Sequence, residues 1–277
     1  MNTKKVTLIM ALSLSVLLAV TSCRNGKAAG QSKQDSQEMP DEYKTQIADS
    51  ILEAVDSLAQ QYAADIKDGS LAIGNILTDR EKVRKPKYLF NPADADRLIT
   101  RHQKTAALAF LITERPMRIA YGMPVDEADR AIARLLSDLN YPLDIDVMKE
   151  LSISENTRRV YEMCREKNQV QYFWEVQTDA MINVSYLIAS NPDIYYTRLT
   201  DEQVMKHSSA FDGMMEALER IAVDDRKMQR VLDDFRSSGA GPLVTGQHSH
   251  GLTAKDFIRF HVENGRDMTE RRNGLLR

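Results

Sequence analysis

The overall composition limits both the domain count and the class of partner. The chain has 277 residues, of which 37 are Lys or Arg and 40 are Asp or Glu, giving a formal net charge of −3 at pH 7. This length has room for one large or two small domains. A mildly acidic chain gives no electrostatic indication of binding to nucleic acid or to anionic lipid surfaces.

The beginning of the chain has the pattern of a secretory signal peptide. Lys4 and Lys5 precede an apolar run from Val6 to Val20, and small polar residues follow this run. A basic start, an apolar core and a small-residue site are typical of a signal that is cleaved. The run is shorter than the roughly 20 apolar residues that a membrane-spanning helix needs. The pattern therefore favours cleavage over a membrane span.

The end of this signal resembles the lipobox of bacterial lipoproteins. It reads VTSC over residues 20–23, where the family has an aliphatic residue, a small or β-branched residue, a small residue and an obligatory cysteine. The resemblance implies that residues 1–22 are removed and that Cys23 becomes the acylated N-terminus, its thiolate acting as the nucleophile. Several buried acyl chains would anchor the protein stably in the bacterial envelope. Arg24 stands where inner-membrane lipoproteins often have aspartate, which favours the outer membrane, facing the periplasm.

Residues 23–40 are predicted to form a flexible, lipidated tether. Apart from Met39, the segment 24–40 holds no aliphatic side chain larger than that of alanine. It therefore cannot contribute to a hydrophobic core. A flexible segment of this length has a root-mean-square reach of roughly 20–25 Å. Such a tether would keep a domain near the membrane and clear of the lipid headgroups.

The first predicted helix covers residues 41–69. Apolar side chains recur at steps of three or four from Ile47 to Ile66, which places them on one helix face, and Gly69 ends the pattern. The next segment, DGSLAIGNIL over residues 68–77, is predicted to be a short strand or a buried loop.

Two further helices are predicted in the middle of the chain. Asn91 can cap the first of them, and Pro92 suits its first turn. This helix is predicted to end near Arg115, because Pro116 disfavours helical geometry at the residue before it. Residues 125–140 form the other predicted helix.

The longest helical pattern runs from Ser154 to Ser190. Asn168 and Gln169 interrupt its apolar stripe, which predicts a kink or a break. The aromatic side chains at positions 172–174 are consecutive and therefore point about 100° apart around the helix axis. One face cannot bury all three. We expect this helix to be central and surrounded; the alternative is that one aromatic faces solvent or a partner.

The last part of the chain predicts three more helices. Thr200 begins one of them with Gln203 in the capping-box position, and Thr253 caps the last. Residues 224–238 form another, whose predicted core residues are Met228, Val231, Leu232 and Phe235. The inward face of the last helix is predicted to comprise Phe257, Ile258, His261 and Val262. No segment alternates convincingly with a period of two. The sequence therefore predicts an all-α fold, a single helical-bundle-like domain of seven or eight helices over residues 41–277.

Two segments outside the predicted helices carry the candidate partner-binding residues. Tyr195 and Tyr196 lie in a connection, where tyrosine either packs a helix end or offers a partner apolar area with a hydrogen-bonding tip. His248 and His250 lie in the glycine-rich loop GPLVTGQHSHGLT, which we expect to be a mobile connector. Should this loop have a function, contact with a protein partner fits better than catalysis, because glycine gives a site no rigid support.

The same loop approaches two known motifs and matches neither. Gly241 and Gly246 have the spacing of a P-loop, but Gln247 stands where the phosphate-binding lysine is needed. Ser249 lies in a glycine frame one residue too wide for G-x-S-x-G. The two loop histidines make only half of a metal site, and the chain has no H-E-x-x-H helix. The sequence therefore assigns no nucleotide, no cofactor, no metal ligand and no catalytic residue.

The remaining candidates for chemistry have structural interpretations. With Cys23 acylated, Cys164 is left alone and is predicted to be a buried structural thiol. His102 lies on an apolar stripe and is expected to be half-buried. His261 follows the apolar face of the last helix and is expected to pack in the core.

Three functions are open from the sequence. We favour a non-enzymatic envelope lipoprotein whose helical domain binds another protein, as a scaffold or assembly component. Secretion-system accessory lipoproteins are an analogy here, with no shared motif. One alternative is an envelope hydrolase that acts on glycans or peptides through its scattered carboxylates or through the loop with His248 and His250. The other is a carrier of a small ligand or metal.

Overall fold

Helices account for all the regular secondary structure in the described part of the chain. The computed structural model describes residues 77–141, 153–193, 200–202, 215, 218–223, 225–237 and 253–277. These residues all belong to one compact unit, Thr45–Arg277. Within them there is no strand, so the predicted all-α fold is confirmed. None of the described helices has the length and apolar character needed to cross a bilayer.

Eight α-helices and one 3-10 helix are defined within the described ranges. In chain order they are α1 (Asp79–Lys82), the 3-10 helix η1 (Pro92–Arg97), α2 (Arg101–Ala120), α3 (Asp126–Asp138), α4 (Ile153–Glu166), α5 (Val170–Ser190), α6 (Arg226–Ser237), α7 (Ala254–Glu263) and α8 (Gly265–Gly274). Residues 218–222 are also helical. The helix predicted over 41–69 and most of the one predicted to begin at Thr200 lie outside the described residues.

Helix α5 is the centre of the domain. None of its residues is exposed, and α2, α4, α6, α7 and α8 all pack against it. Phe173 and Trp174 are buried, with ring centroids 5.3 Å apart in an edge-to-face arrangement. Tyr172 is half-buried beneath the Arg101 guanidinium, which lies 3.4 Å from the ring centroid. The prediction that this helix is surrounded is therefore confirmed.

Helix α2 packs beside α5 and is buried on every side in its middle. Residues 106–111 are inaccessible to solvent over six consecutive positions. They pack against α3, η1 and α5 in one cluster that includes Phe90, Ile132, Leu135 and Val176. Because this part of the helix is buried on all sides, its apolar residues are consecutive in the sequence instead of recurring every three or four positions.

The beginning of α2 differs from the prediction. Asn91 caps the 3-10 helix η1, its side chain accepting a hydrogen bond from the Ala93 amide at 3.3 Å. The chain is then extended at Leu98, and Thr100 caps α2 with a full capping box. The Thr100 hydroxyl accepts from the Gln103 amide at 3.2 Å, and the Gln103 side chain accepts from the Thr100 amide at 2.9 Å. A stronger cap nine residues downstream, at Thr100, thus divides the predicted helix.

The predicted end of this helix near Arg115 is wrong. Helix α2 continues through Pro116 to Ala120. Proline inside a helix costs about 3 kcal/mol. Met117 and Arg118 in the following turn are both buried, however. Burying the apolar side chain of Met117 contributes about 1.5–3 kcal/mol, and the Arg118 guanidinium donates a hydrogen bond to the Phe90 carbonyl. Tertiary packing therefore outweighs the local preference.

Three helices end in the same way, at a residue with positive φ. These residues are Gly122 (φ 58°) after α2, Asn140 (φ 51°) after α3 and Asn168 (φ 54°) after α4. In each case the next amide donates to the carbonyl five residues earlier, as from Gln169 to Cys164 at 2.7 Å. Glycine and asparagine tolerate this left-handed geometry. The break predicted at Asn168 is confirmed, as is the third predicted helix.

The last helices confirm most of the predicted apolar faces. All four predicted core residues of α6 are buried: Met228, Val231, Leu232 and Phe235. Thr253 caps α7 as predicted, accepting from the Asp256 amide at 3.2 Å. Val262, however, is exposed, because the chain breaks at Asn264 and continues as α8 instead of extending the same face.

Candidate functional site

A buried ion pair lies where α2, α5 and α8 meet. The Glu114 side chain is 0% exposed, and its Oε1 accepts a hydrogen bond from Nη2 of Arg272 at 2.8 Å. Its other oxygen, Oε2, accepts from the Phe90 backbone amide at 2.7 Å. Both carboxylate oxygens therefore have charge-assisted or amide donors, as a buried carboxylate requires.

Asn183 of α5 completes the connection between the other two helices. Its Oδ1 accepts from Nε of Arg272 at 2.7 Å, and its Nδ2 donates to the Thr113 hydroxyl at 2.7 Å. Thr113 in turn donates to the Ala109 carbonyl at 2.8 Å. The asparagine side chain on α5 thus hydrogen-bonds to α8 and to α2 at the same time, so one buried side chain fixes the relative position of three helices.

A second buried arginine lies on the other side of Glu114. Nη2 of Arg118 donates to the Phe90 carbonyl and lies 3.6 Å from Oε2 of Glu114. Its Nε is buried without a hydrogen-bond partner among the described residues. Burial raises the pKa of Glu114, and the charges of Arg272 and Arg118 oppose that rise. Two cations around one carboxylate favour its ionised form, so we assign the group as an ion-paired carboxylate.

The Arg272 guanidinium is also enclosed by aromatic rings. Its Cζ lies 4.5 Å from the centroid of Phe110 and 4.4 Å from that of Tyr186. Tyr186 donates to the Tyr88 carbonyl at 3.1 Å. The Glu114 and Arg272 side chains are 0% and 7% exposed, so the described residues leave a substrate no access to the carboxylate. Its role is to hold helices together, so we assign it to the architecture and not to catalysis.

Two carboxyl groups on α5 form the second polar feature of the interior. Glu175 and Asp179 are four residues apart, hence on one face of the helix. Burial raises the pKa of Asp179 well above its usual range, and the charge of Glu175 adds to this rise. Burial also raises the pKa of Glu175, which Arg101 lowers and Asp234 raises. Burial and the neighbouring charge of Glu175 therefore both favour the protonated form of Asp179.

This carboxyl pair was not singled out from the sequence. The approach of two carboxylates is in general a tertiary fact, but here the signal was local. Two acids four positions apart lie on the helix that was predicted to be central. Asp179 is only 5% exposed.

Cys164 is a buried thiol in the core beside α5. Burial raises its pKa to about 11, against opposing contributions from a hydrogen bond to Tyr141 and from Lys167. The reactive form of cysteine is the thiolate, which is scarce at neutral pH under this condition. Cys164 is free and buried, so its prediction as an unpaired structural thiol is confirmed.

The described histidines divide into one confirmed prediction and one correction. His261 is buried, its Nδ1 lies 2.8 Å from the Phe257 carbonyl, and burial lowers its pKa to about 4. It packs as a neutral residue, as predicted. His102, expected to be half-buried, is exposed. The reason is that α2 begins only at Arg101, and its buried stretch starts at Thr105.

The residues proposed from the sequence as a site lie outside the described residues. These are Cys23, Tyr195, Tyr196, His248 and His250. The structure therefore does not bring them together or separate them. In the ranges that the structure describes, no group of three or more His, Cys, Asp or Glu side chains is arranged to hold a metal ion.

The surface of the described domain has one shallow groove, between η1 and α3. Its volume is about 190 Å³, below the range of about 300–1,000 Å³ that is usual for ligand pockets. An ion pair between Arg134 and Asp96 crosses it. Large apolar side chains are exposed elsewhere, at Val83, Ile99, Ile119 and Val223.

Replacing Arg272 should destabilise the fold strongly. Arg272→Ala leaves the Glu114 carboxylate buried without its main partner, and breaking such a pair costs about 3–5 kcal/mol. The matched control is Arg266→Ala on the same helix, whose side chain is 88% exposed and pairs with Glu270 at 3.0 Å. This control should change the free energy of unfolding by less than about 1 kcal/mol. Urea denaturation of both variants measures the difference, and equal losses would contradict the assignment.

The pH dependence of stability should report Asp179. Because its folded pKa lies above the unfolded value of about 3.9, the folded state binds more protons between these two values. Stability from this group is full below the unfolded pKa and is lost as pH rises through the folded pKa. Asp179→Asn should therefore reduce the fall in unfolding free energy as pH rises from about 5, above the unfolded pKa, through the folded pKa.

The control for this measurement is Asp256→Asn. The Thr253 hydroxyl lowers the pKa of the partly exposed Asp256, so this group is ionised in both states across that window. The slope with pH should stay as in the unmodified chain. If Asp179→Asn also leaves the slope unchanged, the protonation assigned to Asp179 is wrong.

Comparisons with known proteins give this domain no relatives. No family model, no curated protein and no solved structure matches the chain.

Proposed function

We propose that the chain is a lipid-anchored protein of the bacterial envelope whose helical domain binds another protein as a scaffold or assembly component. The observation that carries the anchor is the sequence VTSC over residues 20–23, which follows an apolar core and resembles a lipobox. Under this proposal Cys23 carries the lipid, and Arg24 favours the outer membrane with the domain facing the periplasm.

Binding is favoured over catalysis by where the described polar groups lie. The most elaborate polar constellation, around Glu114 and Arg272, is sealed from solvent and serves to join helices. The thiol of Cys164 has a raised pKa and is buried. The exposed side chains instead include large apolar ones at Ile99, Ile119 and Val223, which offer contact area to a partner.

One observation favours the second candidate, a hydrolase. Asp179 can hold a proton, as a general acid must, and Glu175 lies one helical turn away. Its carboxyl is nevertheless almost fully buried, so a substrate has no described path to it. We therefore favour protein binding over hydrolysis.

The anchor is tested by replacing Cys23. Cys23→Ala should leave the precursor unprocessed or release the domain from the membrane fraction, because the acyl chains that hold it cannot be attached. Cys164→Ala, the only other cysteine of the chain, is the matched control and should stay with the membranes. Fractionation and mass measurement of the N-terminus report the result. Cleavage at the same bond with continued membrane binding of Cys23→Ala would rule out the lipoprotein proposal.

The binding function is tested by site-specific photocrosslinking in native membranes. A photoreactive residue at Ile99, Ile119 or Val223 should yield a discrete adduct with one partner, since a partner that binds there would cover these exposed apolar side chains. The same residue at Arg266 or Thr269, exposed polar positions on α8, serves as the control. Recovery of only the uncrosslinked monomer from every position would contradict a stable protein partner.

A further inference from the structure

The segment around α1 has an unusual concentration of basic side chains. Residues 79–87 contain five of them, at positions 80, 82, 84, 85 and 87, against two acidic ones. The chain as a whole has more acidic than basic side chains. This segment is therefore a local reversal of the overall charge.

Both acids of the segment are already engaged. The Glu81 carboxylate accepts from the Thr78 amide and hydroxyl, each at 2.7 Å, in the capping box of α1. Asp79 lies 3.7 Å from Lys82. Arg80, Arg84 and Lys87 are exposed, and none of them lies within ion-pair distance of a carboxylate in the part of the chain that the structure describes.

The segment is held in place from both sides. Leu77 before it is buried, and Leu89 after it packs against the same cluster around Met117 and Tyr121. Lys85 attaches the segment to the end of α2. Its Nζ donates one hydrogen bond to the Tyr121 carbonyl and another, at 3.2 Å, to the Gly122 carbonyl. The bases are thus presented from a fixed backbone, which lowers the entropy that binding must overcome.

An apolar side chain lies among these bases. Val83 ends α1 and is 77% exposed, between Lys82 and Arg84. Bases that surround an exposed apolar residue suit the interface of a bilayer, where the charges meet lipid phosphates and the apolar group meets the acyl boundary.

We propose that the basic segment 79–87 binds an anionic phospholipid surface and orients the domain against the membrane. This rests on the proposed lipid anchor, which would hold the domain beside a bilayer and give a weak electrostatic contact a high effective concentration. Arg80, Arg84 and Lys87 bind the phosphates, Val83 enters the interface, and Lys85 positions the segment on α2.

The test uses the chain as it would exist after processing, residues 23–277, made without its signal and therefore without lipid. Binding is measured by co-sedimentation with vesicles of equal parts phosphatidylglycerol and phosphatidylcholine, and with vesicles of phosphatidylcholine alone. The chain should bind the anionic vesicles at low ionic strength and lose this binding as salt is added. Equal binding to both vesicles, or no binding to either, would overturn the proposal.

Variants identify the segment as the contact. Arg80→Gln, Arg84→Gln and Lys87→Gln combined should lower the vesicle partition coefficient by about 100-fold, from about fivefold for each base. The control combines Arg236→Gln, Arg259→Gln and Arg266→Gln, which removes the same charge from arginines that are each paired with a carboxylate. It should lower binding by less than about threefold. Equal losses in both variants would show that net charge, and not this segment, is responsible.

Two further results distinguish lipid binding by this segment from binding to an acidic protein and from the proposed lipid anchor. Binding to soluble polyglutamate without binding to anionic vesicles would assign the segment to an acidic protein and overturn the lipid assignment. Because the vesicle assay uses unlipidated chain, its outcome does not depend on acylation of Cys23. Failure of the anchor and failure of the basic segment are therefore distinguishable.

Discussion

The ion pair between Glu114 and Arg272 is the contact on which the rest of the described fold depends. It joins α2 near the middle of the chain to α8 near its end, across 158 positions of sequence. Helix α8 buries only two residues, Met268 and Arg272. Within the helix, the buried contacts therefore come from one apolar and one charged side chain, and Leu275 and Leu276 directly after it also pack against the core. A second connection supports it, since the Gln103 amide donates to the Leu276 and Arg277 carbonyls at 3.1 Å each.

A buried ion pair adds less stability than its Coulomb attraction suggests, because both charges lose their hydration. We infer that its main effect here is to select one arrangement of helices. The middle of α2 is apolar on every side, so apolar packing alone constrains its rotation and axial position weakly. Asn183 and Glu114 fix both, because their hydrogen bonds are satisfied in only one register.

Local signals in the sequence predicted the described helices well, and distant contacts account for the differences. The cap at Thr253 was predicted and the cap at Thr100 was not, although both join residues three positions apart. The predicted break at Asn168 depends on a single asparagine with positive φ. Helix α2 continues past Pro116 because Met117 and Arg118 are buried by other elements. The pairing of Glu114 with Arg272 has no local signature at all. The candidate site proposed from the sequence lies outside the described residues, so it remains a prediction.

The net charge of the chain differs from the local charge of residues 79–87. A net charge of −3 indicated no affinity for anionic surfaces. Electrostatic attraction to a surface, however, falls off within about 10 Å at ordinary ionic strength, so a surface responds to the side chains nearest to it. In residues 79–87 the two acids are engaged in a cap and an ion pair, and Arg80, Arg84 and Lys87 face solvent. The local field there is positive although the chain is acidic. A tethered domain would present this face to a membrane in preference to its others, and the position of Lys85 on the end of α2 makes that orientation a property of the fold.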